Sequence, residues 1–557
     1  AEMFIGTMHA FCLALLQRHV PETFKFRVLT DITARMLVDR YSKQSGLTNC
    51  PTTAAIGHLR RFTESKLYLN VLGILREDDV DERLVPPEVL QSFASYTTLL
   101  RDRAYFDYTA MILLAVEMLE EGPDDPSDVL AAAMRAHIRD DLRFLVVDEY
   151  QDVNPLQERL IRALVQFGAN LCVVGDDDQT IYQWRGSEVS NIVTFAQRQP
   201  GVMQVTLDDN FRSSSGVVQV GKAVTSLIPD SQRLAKDMVA TGHQEFRRGD
   251  LLALQFDGEA AETAWICQRI QDMRGLAFQD DPDAMPRGLS WSDFAVLFRS
   301  VAHDAGPLVD ELRRRGIPFV IKGLNRLFEA PEIQAVTAMF SYMLDRVDGQ
   351  ELQVRWADAS LIPARGDWPQ AVAVLDRAKD FSQGARWGTY NIQRVYLDFL
   401  EALGVREDSL PGSPVRRELT FYQLGKFSQV ISDFEEIHFS SSPQQKYDAF
   451  VGWLDHQAKD YYADADAEVG FARPDAVVIS TVHQAKGMQW PAVFLPCMRK
   501  NRFPAKRVGG MNVFHVIPQF AIHDPDRYRG TPEDETRLFY VAVTRAQKYL
   551  FVTFSPG

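Results

Sequence analysis

Cysteine is scarce and poorly placed for metal binding. Cys12, Cys50, Cys172, Cys267 and Cys497 are the only five, and no two have zinc-ligand spacing; an iron–sulfur cluster is equally unsupported. Their scatter through apolar segments predicts buried free thiols and a reducing compartment. Long apolar runs are missing too. No stretch could span a bilayer and no signal-peptide pattern is seen, so a membrane partner is not expected and the cytoplasm is the expected location. Positive charge is the third shortage. Lys and Arg number 60 against 75 Asp and Glu, a formal charge of −15. That excludes a generally basic coat but leaves room for a local cationic groove. Repeats and low-complexity tracts are absent. What remains is an ordinary composition, 46% hydrophobic and 24% charged over 557 residues, too long for one core and suggesting several domains.

The apolar pattern alternates between strand and helix. Phe144–Val147 and Leu171–Gly175 are short apolar runs that predict buried parallel strands, with a helix over Leu156–Phe167 between them. Ala34–Leu119 is largely helical in pattern, and Pro51, Pro86 and Pro87 mark helix starts or breaks. A second α/β unit begins near Val205. Its candidate strands are Leu251–Phe256, Phe294–Phe298, Ile317–Lys322, Ala476–Ser480, Ala492–Leu495 and Tyr549–Phe554. Candidate helices are Ala260–Met273 and Pro331–Met343. From about Asp348 to Gly470 helical stretches alternate with polar loops. The expected class is α/β, two units each interrupted by a helical subdomain.

Several motifs carry chemistry. Val146–Gln157 reads VVDEYQDVNPLQ. Asp148 and Glu149 follow a strand directly, which puts two carboxylates at the carboxyl edge of a parallel sheet, where such sheets bind ligands. Asp148 would hold Mg²⁺, directly or through water, and Glu149 would orient or deprotonate an attacking water. Val173–Gly186 reads VVGDDDQTIYQWRG. Gly175 would permit a tight turn, and Asp176–Asp178 would accept backbone and arginine hydrogen bonds. Gln179 can donate and accept, which suits a sensor of a terminal phosphate and its water. Tyr182 and Trp184 lie just beyond, either stacking on a nucleic-acid base or filling a core. Arg185 would pair with an acid or reach phosphate. Arg212, in NFRSS, and Arg545, in VAVTRA, are candidates for neutralising a transferring phosphoryl group. Arg537 is a weaker third, or a structural partner of Asp534 or Glu535. Thr481 and His483, in TVHQAKG, and Thr7 and His9, in IGTMHAF, form similar small-polar pairs that would contact a nucleic-acid backbone. For both histidines a satisfied hydrogen-bond network is the competing reading. Lys486 adds charge and Gly487 permits a turn. Together these read as most of a nucleic-acid-dependent nucleoside triphosphatase. Yet no G-x-x-x-x-G-K-[S/T] phosphate loop occurs in the chain.

In their order these residues closely resemble the UvrD/Rep/PcrA family of superfamily 1 DNA helicases. IGTMHAF looks like the family's TFH segment, and Phe106–Leu113, FDYTAMIL, like its FDDLL helix. VVDEYQDVNPLQ, GDDDQTIYQWRG, DDNFRSS, TVHQAKGMQWPAVFLP and ETRLFYVAVTRA match its other motifs. The resemblance implies two RecA-like P-loop NTPase-type motor domains with helical insertions. Residues 1–12 and 141–204 would form part of the first motor domain, and 13–140 its helical subdomain. Residues 205–347 and 471–557 would form the second motor domain, and 348–470 a helical accessory subdomain. It implies ATP hydrolysis with Mg²⁺, movement 3′ to 5′ on single-stranded DNA, and unwinding at single-strand/duplex junctions. Asp148 would be the metal acid, Glu149 the water-activating acid, Gln179 the phosphate contact, and Arg212 and Arg545 the arginine fingers. Trp184 would stack on DNA, with Tyr182, Thr7, His9, Thr481 and His483 nearby. Gln489 stands where the family often has a glutamate that contacts the nucleotide sugar. The phosphate loop is expected before residue 1, or from a partner, and without it these residues are expected to turn over little ATP. The competing reading is a non-hydrolysing DNA-binding or regulatory helicase-like subunit. A nuclease is a weaker third, since no second acidic metal cluster is seen.

Overall fold

A computed structural model describes residues 3–54, 57–120, 129–183, 186–187, 189–199, 201–322, 327–379, 391–438, 443–462, 474–505 and 512–556. Two compact units emerge. The first comprises Ala1–Asp208, Gly221–Met238 and Ala505–Val541; the second comprises Asp209–Val220, Val239–Pro504 and Ala542–Gly557. This division is coarser than the four expected subdomains, and it gathers residues 505–541 with the first unit.

The first unit is built around a β–α–β element. Strand β1 (Phe144–Val147) pairs in parallel with β2 (Asn170–Val173). The intervening helix, Pro155–Val165, starts where the sequence dictates. Pro155 occupies its first turn, and Asn154 and Gln157 exchange side-chain and backbone hydrogen bonds in a capping box. Its apolar face, Leu156, Leu160 and Leu164, packs with Cys12, Leu15 and Leu16 of the Met8–His19 helix. Met111, Ile112, Ala115 and Val116 of the Tyr108–Leu119 helix complete that core. The β1 pair differs from the expected buried strands. Leu145 and Val147 pack inward, whereas Phe144 and Val146 are 74% and 67% exposed. Period-two alternation with only one face covered produces that pattern. Cys172 of β2 is exposed for the same reason, which corrects the expectation of uniformly buried thiols.

The second unit holds a six-stranded, fully parallel sheet. Its strands are β3 (Leu251–Gln255), β4 (Phe294–Phe298), β5 (Phe319–Ile321), β6 (Val477–Thr481), β7 (Trp490–Leu495) and β8 (Ala546–Phe554). Their spatial order is β5-β6-β4-β7-β8-β3. The two central strands β4 and β7, FAVLF and WPAVFL, are buried at every position, as continuous apolar runs in a parallel sheet should be. The Glu259–Met273 and Gly306–Arg314 helices cover the sheet through Ile266, Ile270, Leu308 and Leu312. Between Gly349 and Tyr461 the described residues form helices joined by loops. Their core is aromatic, with Trp356 against Phe399 at 4.9 Å and Phe434 against Phe450 at 4.9 Å between ring centres. Among the described residues no helix is long and apolar enough to cross a membrane.

Candidate active site

The first unit gathers one cluster at the exits of β1 and β2. Asp148 and Glu149 both lie exposed just past β1. Glu149 adopts φ 50° and ψ 40°, a left-handed conformation that costs a non-glycine residue about 1–3 kcal/mol and recurs at functional positions. The Asp148 carboxylate accepts its N–H at 2.9 Å. The chain then enters a single 3₁₀ turn, Tyr150–Asp152, whose Tyr150 N–H donates to the Val174 carbonyl. That bond ties the exit of one strand to the exit of the other.

Gln151 is the joint between them. It is fully buried. Its Nε2 donates to the Glu149 carboxylate, and its Oε1 accepts the Asp176 N–H at 3.1 Å. The role of Gly175 follows from this joint. A Cβ there would stand 2.3 Å from Gln151 Oε1 and 2.7 Å from Ile192 Cδ1. Gly175 has no left-handed φ, so close approach, not the expected turn, requires glycine. Asp176 in turn accepts from Gln179 Nε2 at 2.8 Å. Glu149 and Gln179, the two residues expected to act on water and phosphate, therefore stand at the ends of one hydrogen-bonded chain.

Basic residues from outside the motifs neutralise the three aspartates. Lys236 contacts the carboxylates of Asp176, Asp177 and Asp178. Arg233 clasps Asp178 with two bonds of 3.2 and 2.9 Å. Burial pushes the Asp176 carboxyl up, but Lys236 and the donated hydrogen bonds outweigh it and hold Asp176 below the usual carboxylate range. Asp177 stays above its usual value because burial outweighs Lys236 there. The Lys236 ammonium is disfavoured by burial, yet the three carboxylates hold its pKa above the ordinary lysine value. Arg537, the third finger candidate, is 1% exposed and donates to the carbonyls of Asp177 at 3.2 Å and Gln232 at 3.0 Å, with Asp534 at 3.7 Å. Arg233 and Lys236 escaped the sequence reading because their partners lie 55 and 60 residues away.

The second unit brings Arg212 and Arg545 onto adjoining segments. Asn210 Oδ1 accepts the N–H groups of Arg212 and Ser213 at 3.1 and 2.9 Å, shaping the turn. Ser213 Oγ then donates to the Ala546 carbonyl, and Ser214 N–H to that of Gln547, both at 2.8 Å. Arg212 is exposed. Arg545 is 1% exposed and donates to the Met488 carbonyl at 3.0 Å, which places it beside the exposed Gln489. Thr481 ends β6, and its Oγ1 accepts the Gln484 N–H at 3.3 Å. His483 and Lys486 are half-buried in the turn that follows, and Gly487 closes it at φ +79°.

The remaining candidates lie in the first unit. Thr7 is the N-cap of the Met8–His19 helix, its hydroxyl accepting the Ala10 N–H at 3.1 Å. The ring of His9 lies 4.9 Å from that of Tyr108, and burial lowers its pKa against the opposing pull of Asp31. Tyr182 is half-buried. Trp184 and Arg185 lie outside the described residues.

The donor set fits a magnesium nucleotide. Among the described residues no three His, Cys, Asp or Glu side chains are arranged to hold a metal by themselves. The exposed Asp148 carboxylate at a strand exit suits a Mg²⁺ that takes its other ligands from phosphate and water.

Comparison with known proteins agrees with the motif order. Residues 1–200 match the UvrD/REP helicase N-terminal domain. Residues 205–355 and 389–556 match the UvrD-like helicase C-terminal domain. The chain is similar to the ATP-dependent DNA helicase PcrA of Leuconostoc citreum, 26% identical over 499 residues, covering 84% of this chain and 60% of that protein. It is also similar to PcrA of Bacillus subtilis (strain 168), 22% identical over 595 residues, covering 99% of this chain and 72% of the relative. PcrA of Staphylococcus aureus (strain NCTC 8325 / PS 47) is 23% identical over 592 residues, with the same two shares.

Proposed function

The chain belongs to the UvrD-like helicase family, and from that premise we propose that it is the larger part of an ATP-dependent DNA motor that moves 3′ to 5′ on single strands and opens duplex at junctions. The observation that carries this reading is the chain Glu149–Gln151–Asp176–Gln179. DNA binding alone does not require a water-directed carboxylate wired to a phosphate-sensing amide.

Asp148 would hold Mg²⁺, which when bound neutralises charge on the β- and γ-phosphate oxygens. Glu149 orients the attacking water and accepts its proton. Its left-handed backbone and the Gln151 donor aim the carboxylate. Gln179 contacts the terminal phosphate and its water. Arg212 and Arg545 supply charge to the transferring phosphoryl group, and Gln489 contacts the sugar. Thr7, His9, Tyr182, Trp184, Thr481 and His483 form the DNA path, with Trp184 stacking on a base. Turnover also needs a phosphate cradle, and no G-x-x-x-x-G-K-[S/T] run lies within these residues. Residues 1–12 with 141–204, and 205–347 with 471–557, are read as RecA-like motor domains, with helical subdomains at 13–140 and 348–470.

The test is phosphate release by the intact gene product with and without single-stranded DNA, paired with strand displacement on duplexes carrying a 3′ or a 5′ tail. DNA-stimulated release and a 3′-tail preference are expected. DNA binding without any release would replace this reading with the non-hydrolysing subunit.

A further inference from the structure

Lys236 lies in none of the motifs, on a segment without regular structure, 60 residues beyond Asp176. Its side chain is only 14% exposed. We propose that Lys236 is a positioning residue for the hydrolytic step, acting through Asp176 to fix the orientation of the Gln179 amide. The proposal rests on the ATPase reading above and adds to it a residue that the motifs do not contain.

The argument begins with the valence of the groups. An ionised carboxylate only accepts hydrogen bonds. Asp176 has its Oδ1 on the Lys236 ammonium and its Oδ2 on Gln179 Nε2. While Asp176 stays ionised, Gln179 must turn its NH₂ end toward it. A protonated Asp176 could donate instead, and the amide could flip, exchanging donor for acceptor wherever it meets phosphate and water. Lys236 is the cation on that carboxylate, and its effect on Asp176 is in the required direction.

Arg233 already clasps Asp178 with two bonds. Asp177 also accepts the Leu234 N–H at 2.9 Å. Lys236 spans all three carboxylates, and Asp176 is the one of them that holds Gln179. The same residue donates its N–H to Gln151 Oε1, which leaves Gln151 Nε2 for Glu149. A shift of Asp176 therefore disturbs the phosphate sensor and the water-directed carboxylate together.

The experiment is steady-state ATPase of the intact gene product with saturating single-stranded DNA, for Lys236→Met, Lys236→Arg, Gln179→Ala and the Lys236→Met/Gln179→Ala double variant. Lys236→Met should lower kcat about 10- to 100-fold, the scale of a misplaced catalytic group, while KM for ATP moves less than about 3-fold. Lys236→Arg keeps the charge and should restore kcat to within about 5-fold. In the Gln179→Ala background Lys236→Met should change kcat by less than about 2-fold, because the residue it positions is gone. Should Lys236→Met fail to fold, Asp176→Asn carries the test, with the same fall in kcat expected. An unchanged kcat in the variant that folds, or full multiplicative losses in the double variant, overturns the positioning role. A wild-type protein without DNA-stimulated turnover overturns the ATPase reading itself, a separate and visible failure.

Discussion

Replacing Gly175 by alanine isolates the joint that holds the site together. The added Cβ would stand 2.3 Å from Gln151 Oε1, 2.7 Å from Ile192 Cδ1 and 3.3 Å from Gln151 N. Ordinary carbon contacts lie near 3.5–4.0 Å, so at least one neighbour must move by about 1 Å. Ile192 is 8% exposed and packs in the small core with Tyr150 and Phe195. Gln151 is fully buried and held at both ends of its amide, by Glu149 and by Asp176 N–H. Moving it breaks two buried hydrogen bonds, one of them to a charged group, at about 1–3 kcal/mol each. Overpacking adds about 1–3 kcal/mol. These terms overlap, so the expected loss is about 3–5 kcal/mol of stability in the first unit. Urea unfolding followed by fluorescence measures it. Gly168→Ala is the control. Gly168 has φ +99° and nothing within 4 Å of the built Cβ, so its cost is conformational, about 1–2 kcal/mol. DNA-stimulated ATPase should fall about 10- to 100-fold in Gly175→Ala, since Glu149 loses its donor. A Gly175→Ala protein within about 0.5 kcal/mol of wild type, or one less perturbed than Gly168→Ala, would refute the steric argument.

Glu149→Gln keeps the side chain's shape and removes its basicity. Turnover of the intact gene product should drop at least ~100-fold while nucleotide and DNA binding persist, and an unchanged steady-state rate would remove Glu149 from the mechanism. Burial pushes the thiols of Cys12, Cys50, Cys267 and Cys497 up to about 12. At pH 8 their thiolate fraction is on the order of one in ten thousand, so maleimide should label the exposed Cys172 first; mass spectrometry showing two or more equally fast thiols would contradict this. Lys426 is 3% exposed, and burial, then the charge of Lys322, lower its pKa from 10.5 to about 8. Protonation therefore favours the unfolded chain, a penalty fully present below pH 8 and fading toward pH 10.5. Lys426→Met should stabilise the protein by about 2–3 kcal/mol at pH 7, with the gain vanishing by about pH 10.5. Denaturant melts across that range check it, and a loss of stability at pH 7 would count against the burial argument.

Local chemistry made much of the scaffold legible. FAVLF at Phe294–Phe298 reads as a candidate strand and forms one, and Pro331–Met343 shows its helical period and its proline start. The capping pair Asn154 and Gln157 marks the Pro155–Val165 helix, and the apolar run before Asp148 places that carboxylate at a strand exit. Each of these depends on residues within a turn or two of one another, which is the range over which backbone period and capping act. The sequence by itself therefore determined the elements and where most candidate side chains sit on them.

Tertiary structure decided which of those residues meet. The order β5-β6-β4-β7-β8-β3 joins strands more than two hundred residues apart, such as β3 and β8. Gln151 reads as one more motif letter until Asp176 is folded against it. Gly175 reads as a turn glycine until the amide of Gln151 occupies the space its Cβ would need. Lys236 and Arg233 carry no motif, yet they supply the cations that the three aspartates require. Phe144 and Val146 read as core, and among the described residues their face of the sheet is exposed. Contacts of this kind are fixed by how distant segments close and pack, a matter of loop entropy and shape, and no periodicity along the chain encodes them.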